Sequence, residues 1–231
     1  TEPRGWQRPA GGVMAGEHQS AAPGETRARR SAVAEHAPLP LSFHDRPADV
    51  VARELLGALI VSDCGGERVV GEVVETEAYT GPDDEASHAH IRFGRTQRND
   101  PMFSRAGTAY VYLIYGMHWC INVATGDEGF PAAVLIRAAR PIEGIETARE
   151  RRPGKTDAEL MRGPGNLARA LAVDGAVNRG LMDGPPLFFA AGRSVPDSEV
   201  ATGPRIGISR AADAPLRFWL RGSQWVSGKR F

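Results

Sequence analysis

The densest run of reactive side chains in this chain of 231 residues lies between positions 75 and 90. It contains Glu75, Glu77 and Tyr79 at alternate positions, and it closes on His88 and His90. Alternate residues of a strand share one face, so the two carboxylates and the tyrosine are expected on the same side. A carboxylate beside an aromatic ring at the end of a strand suits a pocket that holds a flat substrate near a general base. A solvated strand face followed by an acidic loop is the alternative.

The two histidines permit a second chemistry, because their spacing beside a carboxylate occurs in metal sites. Of the remaining histidines only His118 is near them in the sequence, and no cysteine joins the pattern. The chain also lacks a phosphate-binding loop, a dinucleotide fingerprint and a Gly-x-Ser-x-Gly turn. We therefore predict neither a metal nor a cofactor, and we expect His88 to pack on an aromatic ring or to bond a substrate. A metal-dependent hydrolase that uses His88 and His90 stays open as an alternative.

Aromatic residues form a second concentration between positions 110 and 119. Tyr110 and Tyr112 share one strand face, whereas Tyr115 falls at the tip of a predicted hairpin beside Gly116. An aromatic side chain at such a tip could act as a wedge between stacked bases. An arginine run is common on solvated surfaces, but next to this aromatic tip it favours contacts to nucleic-acid phosphates. The arginines that precede the tip are Arg92, Arg95, Arg98 and Arg105.

The 28 basic and 28 acidic residues cancel, which taken alone argues against a nucleic-acid binder. The two signs are segregated, however, because residues 71–87 carry six acids and no base, whereas residues 88–122 carry four arginines and one acid. A net charge of zero is therefore compatible with a basic face beside an acidic pocket. The only lysines are Lys155 and Lys229. Both lie far from the acidic cluster in sequence, so a Schiff base has few candidate nucleophiles.

Strand patterns dominate the body of the chain, and two pairs of them flank tight turns at residues 64–67 and 116–118. Helices are predicted over residues 45–57, with Asp45 as cap, and over 142–152 and 159–173, the last interrupted near Gly163. Hairpin-linked strands with few helices predict an α+β fold with a mostly antiparallel sheet. The predicted strands cover residues 59–62, 68–79, 109–115, 120–124, 133–138, 187–190, 205–209 and 216–220.

Residues 1–40 contain almost no Ile, Leu, Val or Phe, so they cannot bury enough apolar area to offset the entropy of ordering. We predict a disordered tail over residues 1–40 and one folded domain over residues 41–231. No apolar run approaches the roughly 18–20 residues of a bilayer span, and the first residues lack the apolar core of a signal peptide. With only two cysteines, the chain is expected to be cytoplasmic and to have no membrane partner.

Eight short motifs occur in a fixed order between about Leu41 and Ser227. They are Glu75-Thr-Glu77-Ala-Tyr79, Asp84-Glu85-Ala-Ser-His88, Arg98-Asn99-x-x-Met102-Phe103, Tyr110-Val-Tyr112-Leu-Ile-Tyr115-Gly116-Met117, Cys120-Ile-Asn122, Val134-Leu-Ile-Arg137-Ala138, Gly163-Pro164 and Arg205-Ile-Gly-Ile-Ser209. This series resembles the alkyladenine (3-methyladenine) DNA glycosylase family in its bacterial form. The resemblance implies a single mixed α+β domain with a curved, mostly antiparallel sheet and peripheral helices.

The resemblance also implies roles for the residues of the pocket. Glu77 resembles the general base that orients and deprotonates an attacking water, and Arg137 resembles the residue that helps to hold that water. Asn122 resembles the side chain that disfavours a purine with a 2-amino group. The residues that resemble walls stacking on and bonding a flipped base are Tyr79, His88 and Tyr112.

For the DNA itself, Tyr115 resembles the wedge that fills the gap in the duplex, and Met117 lies beside it. The predicted phosphate contacts are Arg92, Arg95 and Arg98. Two positions depart from the family, which usually has proline where this chain has Gln97 and often where it has Ala106. Losing proline frees the backbone of the unfolded chain, which bears on the rigidity of the arginine loop.

The resemblance implies a base-excision repair enzyme that acts on double-stranded DNA containing damaged purines. It would flip alkylated or deaminated purines, such as 3-methyladenine, 7-methylguanine, hypoxanthine and ethenoadenine, and hydrolyse the N-glycosidic bond with water. Since lysines are scarce, we expect a monofunctional glycosylase without lyase activity. We also expect the protein to be a monomer that is associated with the nucleoid. A nucleic-acid binding module without enzymatic activity remains the other alternative.

Overall fold

The computed structural model describes residues 36–228. The helices are α1 (Leu41–His44), α2 (Ala48–Glu54), α3 (Ile145–Arg151), α4 (Asp157–Leu160) and α5 (Pro164–Ala170). The strands are β1 (Leu59–Ser62), β2 (Val69–Tyr79), β3 (Ala109–Ile114), β4 (His118–Ala124), β5 (Ala133–Glu143), β6 (Leu187–Ala190), β7 (Val200–Gly203) and β8 (Arg217–Leu220). Single 3₁₀ turns occur at Asp100–Phe103, Gly175–Val177 and Asp197–Glu199.

One curled antiparallel sheet contains all eight of these strands, six of them in the order β3-β4-β5-β2-β1-β6. The long strand β2 pairs with β5 along one edge, while β1 and then β8 share its other edge. β7 continues the sheet beyond β8. The β2–β5 register shifts on both sides of Glu75, an irregularity of the kind that re-aims side chains near functional sites. The predicted α+β class, a single mixed domain with a mostly antiparallel sheet, is confirmed.

Both predicted hairpins form, and the backbone of each turn includes residues with left-handed φ angles. Gly65 and Gly66 have positive φ angles between β1 and β2, and Tyr115 and Gly116 have φ angles of 52° and 68° between β3 and β4. A two-residue hairpin turn of type I′ needs positive φ at both central positions. Glycine adopts this conformation without strain, whereas a tyrosine does not. The turn therefore places a strained aromatic residue at the tip of β3–β4.

The core lies between the sheet and two short helices. The residues Val51, Ala52 and Leu55 of the α2 segment are fully buried, and α2 packs on β2 and β5. Thr76 of β2 donates its hydroxyl to the carbonyl of Ala52 at 2.7 Å, which fixes α2 against the strand. α5 packs on β4 and β5 with Leu167 fully buried. Burial of each such large aliphatic side chain contributes about 1.5–3 kcal/mol to folding.

Several predicted boundaries are wrong by a few residues. The helix predicted from residue 45 begins at Ala48, with Pro47 in the N-cap position, and Asp45 instead ends the preceding α1. The helix predicted from residue 142 begins at Ile145, because β5 extends through Glu143 and pairs with β2 up to that residue. Tertiary pairing with β2 thus overrides the local helical pattern.

The strand predicted over residues 205–209 is wrong, and a strand at Val200–Gly203 was not predicted. Residues 205–209 form an irregular loop. The backbone N–H of Ile206 donates to the carboxylate of Glu77, and the Arg205 side chain donates to the carbonyl of Ala78. This loop is therefore attached to the end of β2 by individual hydrogen bonds and not by strand pairing. The alternating apolar residues that suggested a strand, Ile206 and Ile208, instead line a cavity.

The folded body also begins earlier than the predicted residue 41. The backbone N–H of Leu39 donates to the carbonyl of Phe189 at 2.7 Å, and Pro38 bridges to Ala190 of β6. His36 contacts Glu143. The rest of the predicted tail, residues 1–35, lies outside the described residues. Within residues 36–228, none of the helices has the length and apolar character that crossing a membrane requires.

Candidate active site

A cavity of about 130 Å³ opens between the ends of β2, β3, β4 and β5 and the 206–208 loop. Its wall is largely aromatic and aliphatic, with one carboxylate, one guanidinium and one amide facing in. The polar lining residues are Glu77, Tyr79, His88, Tyr110, Tyr112, Cys120, Asn122 and Arg137, and the apolar ones include Met102, Leu135, Pro164, Ile206 and Ile208. A concave apolar pocket with a few converging polar groups is typical of a small-ligand site.

Beneath the cavity lies a network of buried charges that we call the ion-pair floor, formed by Glu75, Glu77, Arg137, Arg217 and Ser227. Glu75 accepts from Nε of Arg137 at 3.0 Å and from Nε of Arg217 at 2.7 Å. Ser227 donates its backbone N–H to Glu75 at 2.6 Å and its hydroxyl at 3.0 Å. Buried charges are tolerated when they are paired and hydrogen-bonded in this way.

Glu77 lies in the same floor, but it also lines the cavity. It is fully buried, and its Oε1 accepts the backbone N–H of Ile206 at 2.7 Å and lies 3.2 Å from Nη1 of Arg137. Its Oε2 accepts the Tyr79 hydroxyl at 3.1 Å. Burial opposes the charge on Arg137, yet the attraction of Glu77 and Glu75 outweighs it and raises the pKa of Arg137. Glu77 and Arg137, to which the resemblance gave separate roles, thus form a buried ion pair at the cavity.

The aromatic walls come from three segments that the sheet brings together. His88 meets Tyr112 edge-on at 4.8 Å between ring centroids, and its Nδ1 lies 2.8 Å from the Tyr110 hydroxyl. Burial, and then the charge of Arg98, lower the pKa of His88 below its ordinary value. Burial, and then the nearby Glu77, raise the pKa of Tyr79. The walls are thus a neutral imidazole and neutral phenols, which suits stacking on a flat base.

Asn122 lies in the cavity wall on β4, and its Nδ2 donates to the carbonyl of Tyr110 at 2.9 Å. This bond fixes the orientation of the amide. The side chain is also nearly fully buried. The structure therefore places Asn122 together with the other predicted pocket residues.

The hairpin tip carries the most exposed aromatic side chain among the described residues. Tyr115 is 82% exposed and Met117 is 71% exposed. Both lie outside the cavity lining. With the three arginines described next, they form what we call the exposed rim.

The rim arginines have different surroundings. Arg92 is exposed and lies over the ring of Phe93, without an ion pair among residues 36–228. Arg95 pairs with Asp100 at 2.6 Å. Arg98 lies over the Tyr112 ring and donates to the carbonyl of Leu113 at 3.1 Å.

Arg98 consequently joins the arginine loop to the hairpin. Asn99 fixes the same loop, because its Nδ2 donates to the carbonyls of His88 and Gly94. The loop is therefore held by side-chain bonds although it lacks proline at Gln97.

The part of the chain that the structure describes contains no set of ligands for the metal site that was the alternative interpretation. No group of three or more His, Cys, Asp or Glu side chains there is placed to hold an ion. Nδ1 of His90 accepts the backbone N–H of Arg92 at 3.2 Å, whereas Nδ1 of His88 faces Tyr110. The two histidines thus turn to different partners.

Sequence reasoning assigned no role to three residues that shape the site. Arg217 and Ser227 hold Glu75, and Arg205 lies over the ring of Tyr79. Arg217 and Ser227 lie 142 and 152 positions from Glu75 along the chain. No local spacing could link them. The one available signal was Arg205 itself, which opens one of the recognised motifs.

Comparison with known proteins finds relatives over most of the chain. The model of a family described as "Methylpurine-DNA glycosylase (MPG)" matches residues 42–224. A Myxococcus xanthus protein named "Putative 3-methyladenine DNA glycosylase" is 52% identical over 193 residues, which cover 82% of this chain and 93% of that relative. Relatives of the same name from Salinibacter ruber and Carboxydothermus hydrogenoformans are 46% and 42% identical, over 82% and 83% of this chain and 96% and 99% of their own.

Proposed function

The chain belongs to the methylpurine-DNA glycosylase family and is a DNA glycosylase of DNA repair, and from this premise we propose that it excises damaged purines from duplex DNA. The proposed substrates are 3-methyladenine, 7-methylguanine, hypoxanthine and ethenoadenine, and the product is an abasic site. The observation that carries the proposal is the buried carboxylate of Glu77, which faces an aromatic cavity of about 130 Å³ beside Arg137.

The first step is extrusion of the nucleotide. The glycosidic carbon C1′ is buried in a stacked duplex, so the base must leave the helix at a cost of a few kcal/mol, which is lower for damaged or mispaired bases. Tyr115 is exposed at a turn tip. An apolar side chain inserted at the vacated step offsets part of the unstacking, and Met117 lies close enough in sequence to contact the same step.

The flipped base then enters the aromatic cavity. Stacking on aromatic side chains is worth about 1–3 kcal/mol per base and tolerates different bases. A methylated purine that carries a positive charge gains further through attraction to the faces of Tyr79 and Tyr112. The fixed amide of Asn122 disfavours an exocyclic 2-amino group, a penalty that the positive charge of 7-methylguanine offsets through its attraction to the aromatic walls. Together these features favour alkylated and deaminated purines over ordinary guanine.

Glycosidic cleavage passes through an oxocarbenium-like sugar. The bond between C1′ and the base nitrogen breaks with its electron pair going to the base. A water oxygen bonds to C1′, and its proton passes to the Glu77 carboxylate. Nη1 of Arg137 lies 3.2 Å from Oε1 of Glu77, so a fixed cation stands beside the carboxylate that takes the proton.

A monofunctional reaction follows from the nucleophiles available. A Schiff base needs an amine, and Lys155, the only lysine among residues 36–228, does not line the cavity. Water is therefore the proposed nucleophile, and strand cleavage is not expected. The enzyme is proposed to act as a monomer at the nucleoid in the cytoplasm, where its DNA substrate lies.

The test is release of base from four duplexes, each with one of the proposed lesions, in the presence of EDTA and, separately, of borohydride. The proposal expects release of at least the methylated purines, undiminished by EDTA, and no covalent adduct. Binding without release would favour the binding module, and loss in EDTA would favour the metal hydrolase. A trapped adduct would contradict water as the nucleophile.

A further inference from the structure

Behind the ring of Tyr79, on a side that does not line the base cavity, lies a buried guanidinium that the proposed chemistry does not use. The Cζ of Arg205 is 4.8 Å from the centroid of the Tyr79 ring. The Arg205 side chain is completely buried. It lines a separate groove with Asp84, whereas Tyr79 lines the cavity. One cation thus already faces the aromatic wall that would stack on the base.

Asp84 compensates this cation almost completely. Its two oxygens accept Nη1 and Nη2 of Arg205 at 2.5 and 2.8 Å, a bidentate pair. The carboxylate also accepts the backbone N–H groups of Thr80 and Ala86. Burial opposes ionisation of Asp84, but the bonds and the charge of Arg205 outweigh it and hold the pKa of the carboxyl below its ordinary value. The pair is therefore charged on both sides and neutral in sum.

The same arginine ties the site together. Nη1 of Arg205 donates to the carbonyl of Ala78 at 2.9 Å, next to Tyr79. The following residue, Ile206, gives its N–H to Glu77 and lines the cavity. Arg205 consequently fixes the wall, the catalytic carboxylate and the loop over the cavity in one arrangement.

We propose that the Arg205–Asp84 pair is a specificity-determining element, which sets how strongly the Tyr79 wall favours a cationic base over a neutral one. The inference rests on the proposed function, since it concerns the same cavity. A π-face attracts a cation, but a second cation on the opposite face opposes that attraction. Because Asp84 cancels the charge of Arg205, the wall keeps its preference for a positively charged methylated purine.

The charge balance predicts opposite effects for the two partners. In Asp84→Asn the cation behind Tyr79 is uncompensated, so excision of a cationic base should suffer more than excision of a neutral base. In Arg205→Gln the remaining buried carboxylate should favour the cationic base. The double variant, whose amides can still bond each other, should return the preference close to that of the wild type. A purely structural role would lower both rates together in every variant.

The experiment measures single-turnover release of 7-methylguanine, which is cationic, and of hypoxanthine, which is neutral, from otherwise identical duplexes. The ratio of the two rates should fall about 3- to 10-fold in Asp84→Asn and rise by a similar factor in Arg205→Gln, as expected for a charge a few ångströms behind the ring. The matched control is Glu85→Gln, which removes the same charge from an exposed pair with Arg210 on the same two loops. Its ratio should stay at the wild-type value.

Equal loss of both activities in the two single variants, or shifts of the ratio in the same direction, would overturn the proposal. Circular dichroism shows whether each variant folds. If one single variant does not fold, the direction in which the rate ratio changes in the other single variant, together with the ratio in the double variant, still tests the proposal. Failure of the wild-type protein to release either base would instead count against the proposed function.

Discussion

The ion-pair floor and the exposed rim are built in opposite ways. In the floor, Glu75 alone accepts four hydrogen bonds, and Glu75, Arg217 and Ser227 are almost fully removed from solvent. In the rim, Tyr115 and Met117 extend into solvent from the short turn between β3 and β4. The floor is held by paired, buried groups, whereas the tip of the rim presents Tyr115 and Met117 to solvent.

This difference matches what each region is proposed to do. A general base works only if its position relative to the reacting atom is held within a fraction of an ångström, which buried, paired charges achieve. A side chain that enters a stacked duplex must instead be accessible before contact. The structure therefore separates the groups for bond cleavage from the groups for DNA distortion, and substitutions should separate them too.

The largest expected difference between the floor and an exposed ion pair is in the free energy of unfolding. Glu75→Gln removes the carboxylate that Arg217 bonds and leaves a buried cation without its charge partner. Breaking a buried pair in this way costs about 3–5 kcal/mol. Chemical denaturation should show that loss, while Glu146→Gln, an exposed carboxylate paired with Arg149, should change stability by less than about 1 kcal/mol. Equal stability of the two variants would show that the floor is not a structural unit.

The next effect concerns the rim and should appear only with duplex DNA. Tyr115→Ala removes the proposed wedge, so the extruded state is less stable and excision from a duplex should fall about 10-fold, the equivalent of part of the unstacking cost. Excision of the same lesion from a single strand should stay near the wild-type rate, because no stacked pair must be opened. A loss of equal size on both substrates would break the division between floor and rim.

The smallest effect distinguishes the arginines of the rim. Replacement of Arg92 by Gln should reduce the slope of log affinity against log salt concentration by about 1, as expected for one phosphate contact. Arg95→Gln should change that slope less, since Asp100 already neutralises this guanidinium. Arg149→Gln on α3 serves as a control that should leave it unchanged. An unchanged slope in Arg92→Gln would remove this residue from the DNA-binding surface.

The sequence was sufficient for the hairpins, and several of the residues that it singled out, among them Glu77 and Tyr79, line the cavity. Turn residues identified the β1–β2 and β3–β4 hairpins, because glycine in a short segment between two strand patterns is typical of a hairpin turn. Strand alternation correctly placed Glu75, Glu77 and Tyr79 on one side, as their shared contacts show.

The remainder depended on contacts between distant parts of the chain. Residues 205–209 alternate like a strand, yet their backbone bonds Glu77 and so belongs to the site. β5 continues through residues with a helical pattern, because β2 supplies pairing partners as far as Val70. Arg217 and Ser227, which bond Glu75 from near the C-terminal end of the described chain, could not be predicted as its partners from any local sequence pattern.

The most direct test of the account uses Glu77→Gln, in which the amide keeps the shape of the side chain but cannot accept the proton of water. Binding of a 7-methylguanine duplex and release of its base are measured on the same sample under single-turnover conditions. Binding should stay within a few fold of the wild type, and release should slow about 10²–10⁴-fold, the range for a lost general base. Release at the wild-type rate by a variant that binds normally would contradict the role of Glu77.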